Sequence, residues 1–325
     1  MTTKVLDELM ALARHAAAGV PPFGWPSAAP TPGQSREQWV AEVAALRAQH
    51  DAQALYSHVS QGTVEDDDDA ECASRYVTIP TPAGRLAGLA YQPQGEGPFP
   101  AIVMFHGGGW WMGGGAAGYV INDRLCRRLC TQVGAVVVNL DYRLAPEHRF
   151  PAQLDDGYAA VQWMAAGAHL SLDPARLAIL GISSGGHLAA GLSQLVRDRG
   201  GPRIALQILI QPALDLALPA GAAALSADVV EGALRLRGYY FRDTPLTAAY
   251  ASPLDAGDLS GTPPTVLMTG LYDPLREQGQ RYADLVTAAG IEVRHLEHPA
   301  THTVATADVR ARRDVDLVAA IRGLI

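Results

Sequence analysis

The sequence predicts an α/β protein with a mostly parallel central sheet flanked by helices. Short apolar runs alternate with helical patterns along most of the chain, which is typical of a parallel sheet covered on both faces. Before them, residues 76–80 and 86–91 read as two strands joined by a turn, an antiparallel opening to the sheet. The apolar runs lie at residues 101–105, 135–140, 177–180, 204–210, 265–269 and 293–296.

Helical segments outside the sheet are expected to form a cap. Residues 3–19 and 36–56 have helical apolar spacing, and residues 214–250 carry two further helical patterns within an Ala- and Gly-rich stretch. Ligands of open α/β sheets bind at the carboxyl edge of the strands, which these helices could roof. We predict an N-terminal helical cap segment at 1–74 and a main domain at 75–325, with a cap insertion at about 214–250.

Composition indicates a globular protein that does not bind nucleic acid. The 325 residues are 48% hydrophobic and 18% charged, which is enough apolar material for a large core. The net charge is −8 and the basic residues are not clustered, so nucleic acid is not an expected partner. The acidic run at residues 65–69 is expected to be a solvated loop.

The sequence also predicts where the protein is located and the state of its cysteines. Asp7 and Glu8 stand where a signal peptide needs basic residues and an apolar core, and no apolar stretch reaches the ~18 residues of a membrane span. A cytoplasmic protein without a membrane span is therefore expected. The three cysteines, Cys72, Cys126 and Cys130, are expected to be buried free thiols rather than a disulfide or a metal site.

A nucleophile motif follows the apolar run at residues 177–180. Gly181-Ile182-Ser183-Ser184-Gly185 has the pattern Gly-x-Ser-x-Gly, and a helical pattern comes directly after it. A sharp turn from strand to helix would hold Ser183 in a strained conformation at a helix N-terminus, and the flanking glycines avoid a collision across that turn. Ser183 is therefore the predicted nucleophile.

A glycine run follows the strand at residues 101–105. His106 is succeeded by Gly107, Gly108 and Gly109, whose backbone N–H groups are left uncovered by side chains. An acyl-transfer enzyme must stabilise an oxyanion, and the N–H groups of Gly107 and Gly108, with that of Ser184, are the predicted donors. The run lacks the residues of phosphate or dinucleotide loops. His106 is expected to anchor the loop through ring hydrogen bonds.

An acid and a base follow the serine in the order that a Ser-Asp-His triad requires. Asp273 comes just after the strand at residues 265–269, where active-site residues of such sheets collect. Its alternative role is an N-cap for the helix that starts near Pro274. His302 is the predicted base because it lies deeper in the loop after the next strand, and His298 is the rival.

These residues resemble the hormone-sensitive-lipase-like bacterial carboxylesterases, an α/β-hydrolase-fold family. The resemblance rests on three passages: His106-Gly107-Gly108-Gly109-Trp110 as the oxyanion motif, Asp141-Tyr142-Arg143-Leu144-Ala145-Pro146-Glu147-His148 with Phe150-Pro151-Ala152 as a signature, and Asp273-Pro274-Leu275-Arg276 as the acid motif. It runs from about residue 75 to the end. It implies an α/β-hydrolase core with a helical cap that acts on short to medium acyl esters without cofactor or metal, and a homodimer is a common assembly in the family.

The sequence departs from the family pattern at two places. Ile182 precedes the nucleophile where the family usually has Asp or Thr, and Ser184 follows it where Ala is usual. The residues around His302 lack the family's usual glycine before and aromatic residue after the histidine. The first departure bears on the subfamily and the substrate range, and the second bears on the assignment of His302 as the base.

The predicted function is a serine carboxylesterase that forms an acyl-enzyme on Ser183, with a small-molecule ester as its partner. The alternatives are a deacetylase or amidase, and a small-molecule binding protein on the same fold. Arg143, Glu147 and Asp155 are expected to form a structural network beneath the site. Five aromatic residues are expected either to line an acyl pocket or to pack: Trp110, Trp111, Tyr239, Tyr240 and Phe241.

Overall fold

The computed structural model describes residues 7–11, 24–60, 72–167, 170–216 and 227–325. Its strands are β1 (Ala73–Thr81), β2 (Gly84–Gln92), β3 (Phe99–Phe105), β4 (Val136–Asp141), β5 (Leu172–Ile182), β6 (Leu206–Ile210), β7 (Thr265–Gly270) and β8 (Val293–His298). Its labelled helices are α1 (Arg36–Ser60), α2 (Gly115–Arg128), α3 (Ala152–Ala165), α4 (Ser184–Asp198), α5 (Ala227–Tyr240), α6 (Arg276–Ala288) and α7 (Ala307–Arg322). Residues 7–11 are also helical.

The strands form one eight-stranded sheet in the order β1-β2-β4-β3-β5-β6-β7-β8. β2 pairs antiparallel with both β1 and β4, and all pairs from β4 to β8 are parallel. The predicted antiparallel opening and parallel remainder are confirmed. Because the parallel strands all end at one edge, the loops that follow β3, β5, β6, β7 and β8 meet there.

Two apolar cores cover the two faces of the sheet. Val103 and Phe105 of β3 belong to one core, whereas Ile102 and Met104 of the same strand belong to the other. This alternation follows from the period of two in a strand. Helices α3 and α4 pack in the first core and α2 and α7 in the second. The prediction of helices on both faces is confirmed.

The helices outside the sheet differ in detail from the expectation. The predicted helix at residues 36–56 is α1, which extends to Ser60. In the insertion, the two expected helical patterns are one continuous helix, α5, in the part that the structure describes. Most of the expected first helix and the acidic run at residues 65–69 lie outside the described residues. The division into a cap at 1–74, a main domain and an inserted cap stays a prediction.

Cys72, Cys126 and Cys130 are free and buried, as expected. In the described ranges, no helix is both long and apolar enough to cross a membrane.

Candidate active site

Ser183 lies at the turn between β5 and α4, at the carboxyl edge of the sheet. Its backbone has φ 54° and ψ −115°, a strained conformation for a residue with a side chain. A Cβ on Gly181 would overlap the carbonyl oxygen of Gly185, and one on Gly185 would overlap that of Phe105. Only glycine therefore fits at either position, and the turn presents Ser183 towards the loops above the sheet.

The structure brings Ser183, His302 and Asp273 together in a hydrogen-bonded chain. Ser183 Oγ lies 2.9 Å from His302 Nε2, and His302 Nδ1 lies 2.9 Å from Asp273 Oδ2. Asp273 follows β7 and is buried, while His302 lies in the loop after β8 and is partly exposed. This is the geometry that a nucleophile, a base and an orienting carboxylate require.

His298, the rival base, lies elsewhere. It is the last residue of β8 and is buried, with its Nε2 3.7 Å from Asp316 Oδ2. Burial lowers the pKa of His298, which favours the neutral ring. The structure thus places His302, and not His298, between the serine and the carboxylate.

Asp273 combines the two roles that the sequence left open. Its Oδ1 accepts a hydrogen bond of 2.8 Å from the backbone N–H of Leu275, which precedes the first residue of α6. Its Oδ2 contacts His302. One oxygen holds the start of the helix and the other faces the imidazole, so the helix turn fixes the direction of the carboxylate.

Gln211 is a residue of this site that the sequence analysis missed. It follows β6, is buried, and donates from Nε2 to Asp273 Oδ2 at 2.7 Å and to the carbonyl of Thr301 at 2.8 Å. Its backbone has φ 46°, and its N–H donates to the carbonyl of Met268 at 2.7 Å. Gln211 therefore ties the carboxylate to the loop that carries His302. A polar residue directly after a buried strand at this edge was the available signal.

The predicted oxyanion donors lie beside the nucleophile. A Cβ on Gly107 would lie 3.4 Å from Ser183 Cβ, so the glycine loop passes close to the serine. Gly108 has φ +117°, a conformation that favours glycine. Among the described residues, the N–H groups of Gly107 and Gly108 have no backbone acceptor, and Ser184 is the first residue of α4, whose N–H has none within the helix.

His106 anchors the glycine loop, as expected. Its Nδ1 lies 2.7 Å from the carbonyl oxygen of Gly107, and its ring stacks on Tyr142 with 4.2 Å between centroids. The hydroxyl of Tyr142 donates to the carbonyl of His106 at 2.9 Å. Burial lowers the pKa of His106, so the ring is neutral and donates from Nδ1.

Helix α1 also holds this loop, from the N-terminal side of the chain. Asp51 Oδ1 accepts a hydrogen bond of 2.7 Å from the N–H of Gly113. Arg47 forms an ion pair of 2.6 Å with Glu147 and donates to the carbonyls of Trp111 and Ala145. Burial raises the pKa of Asp51, although the Gly113 hydrogen bond opposes that shift.

The expected structural network is present but uses a different carboxylate. Arg143 pairs with Asp156 at 2.7 Å, and Asp156 is fully buried. The expectation for Asp155 is wrong: it is exposed and lies 3.5 Å from Arg199 on the surface. Consecutive residues of α3 point about 100° apart, and it is Asp156 that faces the loop carrying Arg143.

A cavity of about 860 Å³ opens over Ser183 and His302. Trp111 lines it, but Trp110, Tyr239, Tyr240 and Phe241 do not. Trp110 instead stacks on Tyr240 with 4.8 Å between ring centroids, and all four pack in the core. Over the described ranges, no group of three or more His, Cys, Asp or Glu side chains is placed to hold a metal ion.

Comparison with known proteins identifies the family of the chain. A family model described as alpha/beta hydrolase fold matches residues 102–305. The carboxylesterase NlhH of Mycobacterium tuberculosis is 40% identical over 210 residues, or 62% of this chain and 64% of NlhH. The chain thus spans less than two thirds of that relative. Esterase LipI of the same organism is 36% identical over 232 residues, or 67% of this chain and 70% of LipI.

Solved structures are similar over a larger part of the chain. A structure described as a bacterial heroin esterase has a TM-score of 0.78 and 30% identity, and the match covers 98% of this chain and 99% of that one. The glycine run, the nucleophile turn and the acid and base positions all lie within the residues that the family model matches. The resemblance to hormone-sensitive-lipase-like carboxylesterases is confirmed, and the chain belongs to the α/β-hydrolase-fold family.

Proposed function

We propose that the protein is a serine carboxylesterase that hydrolyses short- to medium-chain acyl esters through an acyl-enzyme on Ser183. The observation that carries the proposal is the continuous chain from Ser183 Oγ through His302 to Asp273, beside a glycine loop with available N–H groups. Similarity to proteins named as esterases supports the same class of reaction.

In the acylation step, His302 Nε2 takes the proton of Ser183 Oγ as that oxygen attacks the ester carbonyl carbon. The carbonyl oxygen becomes an oxyanion, which the N–H groups of Gly107, Gly108 and Ser184 stabilise. When the tetrahedral intermediate collapses, the bond to the alcohol oxygen breaks and His302 protonates the leaving alcohol. Ser183 then carries the acyl group.

In the deacylation step, a water molecule replaces the alcohol. His302 removes a proton from the water, and the hydroxide oxygen attacks the acyl carbon. The second intermediate collapses to a carboxylic acid, and the proton returns to Ser183 Oγ. Asp273 holds His302 in the tautomer with Nδ1 protonated and stabilises the imidazolium in both steps.

The ester is favoured over the amide because an alkoxide leaves more readily than an amine. The deacetylase or amidase alternative uses the same residues, and the binding-protein alternative uses the same cavity without turnover. The cytoplasmic location and the homodimer stay predictions from the sequence, and neither affects the proposed chemistry.

The test is hydrolysis of p-nitrophenyl esters of increasing acyl length by the native protein and by Ser183→Ala. We expect turnover of the short chains by the native protein and a fall to background in Ser183→Ala. Ser193→Ala is the matched control, because Ser193 is a buried serine of α4, the helix that follows Ser183, and its hydroxyl donates to the carbonyl of Ala189 at 2.9 Å. Equal inactivity of native protein and both variants towards esters, with folding intact by circular dichroism, would favour the binding protein.

A further inference from the structure

Charged side chains line part of the cavity that contains Ser183 and His302. One face of α7 lines that region, through residues spaced three or four apart: Arg310, Arg313, Asp314 and Leu317. Arg124 of α2 and His58 of α1 lie on the same wall. The nucleophile and this group of cationic side chains therefore share one space of about 860 Å³.

Among the described residues that line this region, the one carboxylate is that of Asp314. Asp314 lies 2.9 Å from Arg128 and 3.5 Å from Arg124. Asp314 is thus paired with two arginines other than Arg313. Burial lowers the pKa of His58, and the positive charges of Arg310 and Arg124 lower it further.

Arg313 differs from the other arginines of this region. Within the described part of the chain, its guanidinium makes no hydrogen bond and no ion pair, although the side chain is half-buried against the cavity. Besides Asp314, the carboxylate near Arg313 is that of Asp273. Its two oxygens are already hydrogen-bonded to Leu275, Gln211 and His302. Enclosing a cation without a hydrogen-bonded partner is costly. Burial lowers the pKa of Arg313, although the charges of Asp314 and Asp273 oppose that shift.

We propose that Arg313 binds a carboxylate of the substrate, so that the preferred esters carry a free carboxylate in addition to the bond that is cleaved. This inference rests on the proposed esterase function and names a substrate class for it. A guanidinium pairs with a carboxylate through two parallel N–H donors, and the pairing is strongest where water is partly excluded. The carboxylate can belong to the acyl group, as in a dicarboxylic acid monoester, or to the alcohol, as in an acylated hydroxy acid.

The first test compares matched esters with the native protein and with Arg313→Gln. Monoethyl succinate, glutarate and adipate carry the carboxylate on the acyl side, and ethyl butyrate, pentanoate and hexanoate are their neutral counterparts. Acetylated glycolate and 3-hydroxypropanoate carry it on the alcohol side, against ethyl and propyl acetate. We expect Arg313→Gln to lower kcat/KM about tenfold for the charged esters of one series and to leave the neutral esters unchanged.

Arg312→Gln is the matched control. Arg312 is the neighbouring residue on α7, is exposed, and does not line the cavity, so the substitution removes the same charge from the same helix. It is expected to change neither series. If the two variants lower the rates of charged esters equally, or if Arg313→Gln affects charged and neutral esters alike, a carboxylate subsite at Arg313 is wrong.

The second test separates this proposal from the esterase proposal. Binding of the best charged ester, and of its neutral counterpart, is measured by calorimetry with Ser183→Ala and with Ser183→Ala/Arg313→Gln. We expect the charged ester to bind about tenfold more weakly to the double variant. Binding that is lost in this way supports the subsite even if native protein hydrolyses no ester, whereas hydrolysis of neutral esters without any binding difference overturns the subsite alone.

Discussion

Gln211 Nε2 lies 2.7 Å from Asp273 Oδ2, the same oxygen that lies 2.9 Å from His302 Nδ1. The same amide nitrogen also contacts the carbonyl of Thr301, the residue before His302. Thr301 in turn exchanges hydrogen bonds with Val304, which closes the loop around the histidine. Gln211 therefore connects the carboxylate to the loop of the base from a position just after β6, a strand that carries neither residue.

The first prediction concerns Gln211→Leu, which keeps the volume and removes the amide. Asp273 and the His302 loop lose their shared donor, so we expect kcat to fall about tenfold or more with little change in KM. The control is Gln207→Leu in β6, the strand that precedes Gln211, because Gln207 is also buried but donates to Thr265 and Tyr282. Steady-state kinetics and urea midpoints are measured for both. A fall in kcat that merely tracks lost stability in both variants would contradict a positioning role.

The second prediction concerns the glycines of the nucleophile turn. In Gly185→Ala the new Cβ overlaps the carbonyl oxygen of Phe105, which pushes Ser183 away from His302. A displacement on the order of 1 Å costs about a hundredfold in activity. Gly232→Ala is the control, since Gly232 lies within α5 with nothing within 4 Å of a Cβ. It should raise helix stability slightly and leave ester hydrolysis unchanged.

The third prediction uses two adjacent carboxylates of α3. Asp156→Asn breaks the ion pair between Arg143 and the fully buried Asp156, so we expect a loss of about 3 kcal/mol in the free energy of unfolding. Asp155→Asn removes an exposed charge 3.5 Å from Arg199 and should change that energy by less than about 0.5 kcal/mol. Urea denaturation of the two variants gives the comparison, and similar losses in both would show that the Arg143 pair is not the stabilising one.

The features that the sequence predicted are those whose backbone geometry is encoded within a few residues. Gly181 must be glycine because the backbone of Gly185 approaches it, and Gly108 must be glycine because the carbonyl of Met112 approaches it. Both contacts lie within four positions along the chain. His302 and Asp273 were placed by the alternation of strands and loops. That alternation indicates the edge of the sheet at which a residue lies. It favoured His302 over His298 as the base but did not exclude His298.

The features that were missed depend on contacts between distant parts of the chain. Gln211 meets Asp273 across 62 positions, and Arg47 meets Glu147 across 100. A lone glutamine or arginine has no local pattern that would reveal such a partner. Whether Asp155 or Asp156 pairs with Arg143 depends on which side of α3 faces the loop after β4. The two carboxylates are consecutive in the helix, and the sequence does not show which of them lies on that side.

The last prediction concerns His187, which follows the nucleophile motif and is fully buried. Its Nδ1 accepts from Trp110 Nε1 at 3.3 Å and its Nε2 donates to the carbonyl of Ala251 at 2.9 Å, so the neutral ring satisfies both neighbours. Burial lowers the pKa of His187 from 6.5 to about 4. The folded protein thus holds the neutral form, and the resulting stabilisation is complete above pH 6.5 and is lost as the pH falls towards 4.

A separation of this size between the folded and unfolded pKa corresponds to about 3 kcal/mol. The variant His187→Gln retains a donor and an acceptor but does not titrate. We expect it to be less stable than the native protein at pH 7, with a difference in unfolding free energy that shrinks between pH 6.5 and 4. Other groups titrate in the same window, including His106, whose pKa burial also lowers. Because they are common to both proteins, only the difference between the two urea-unfolding curves reports His187. Parallel curves would mean that His187 does not contribute to the loss of stability in acid.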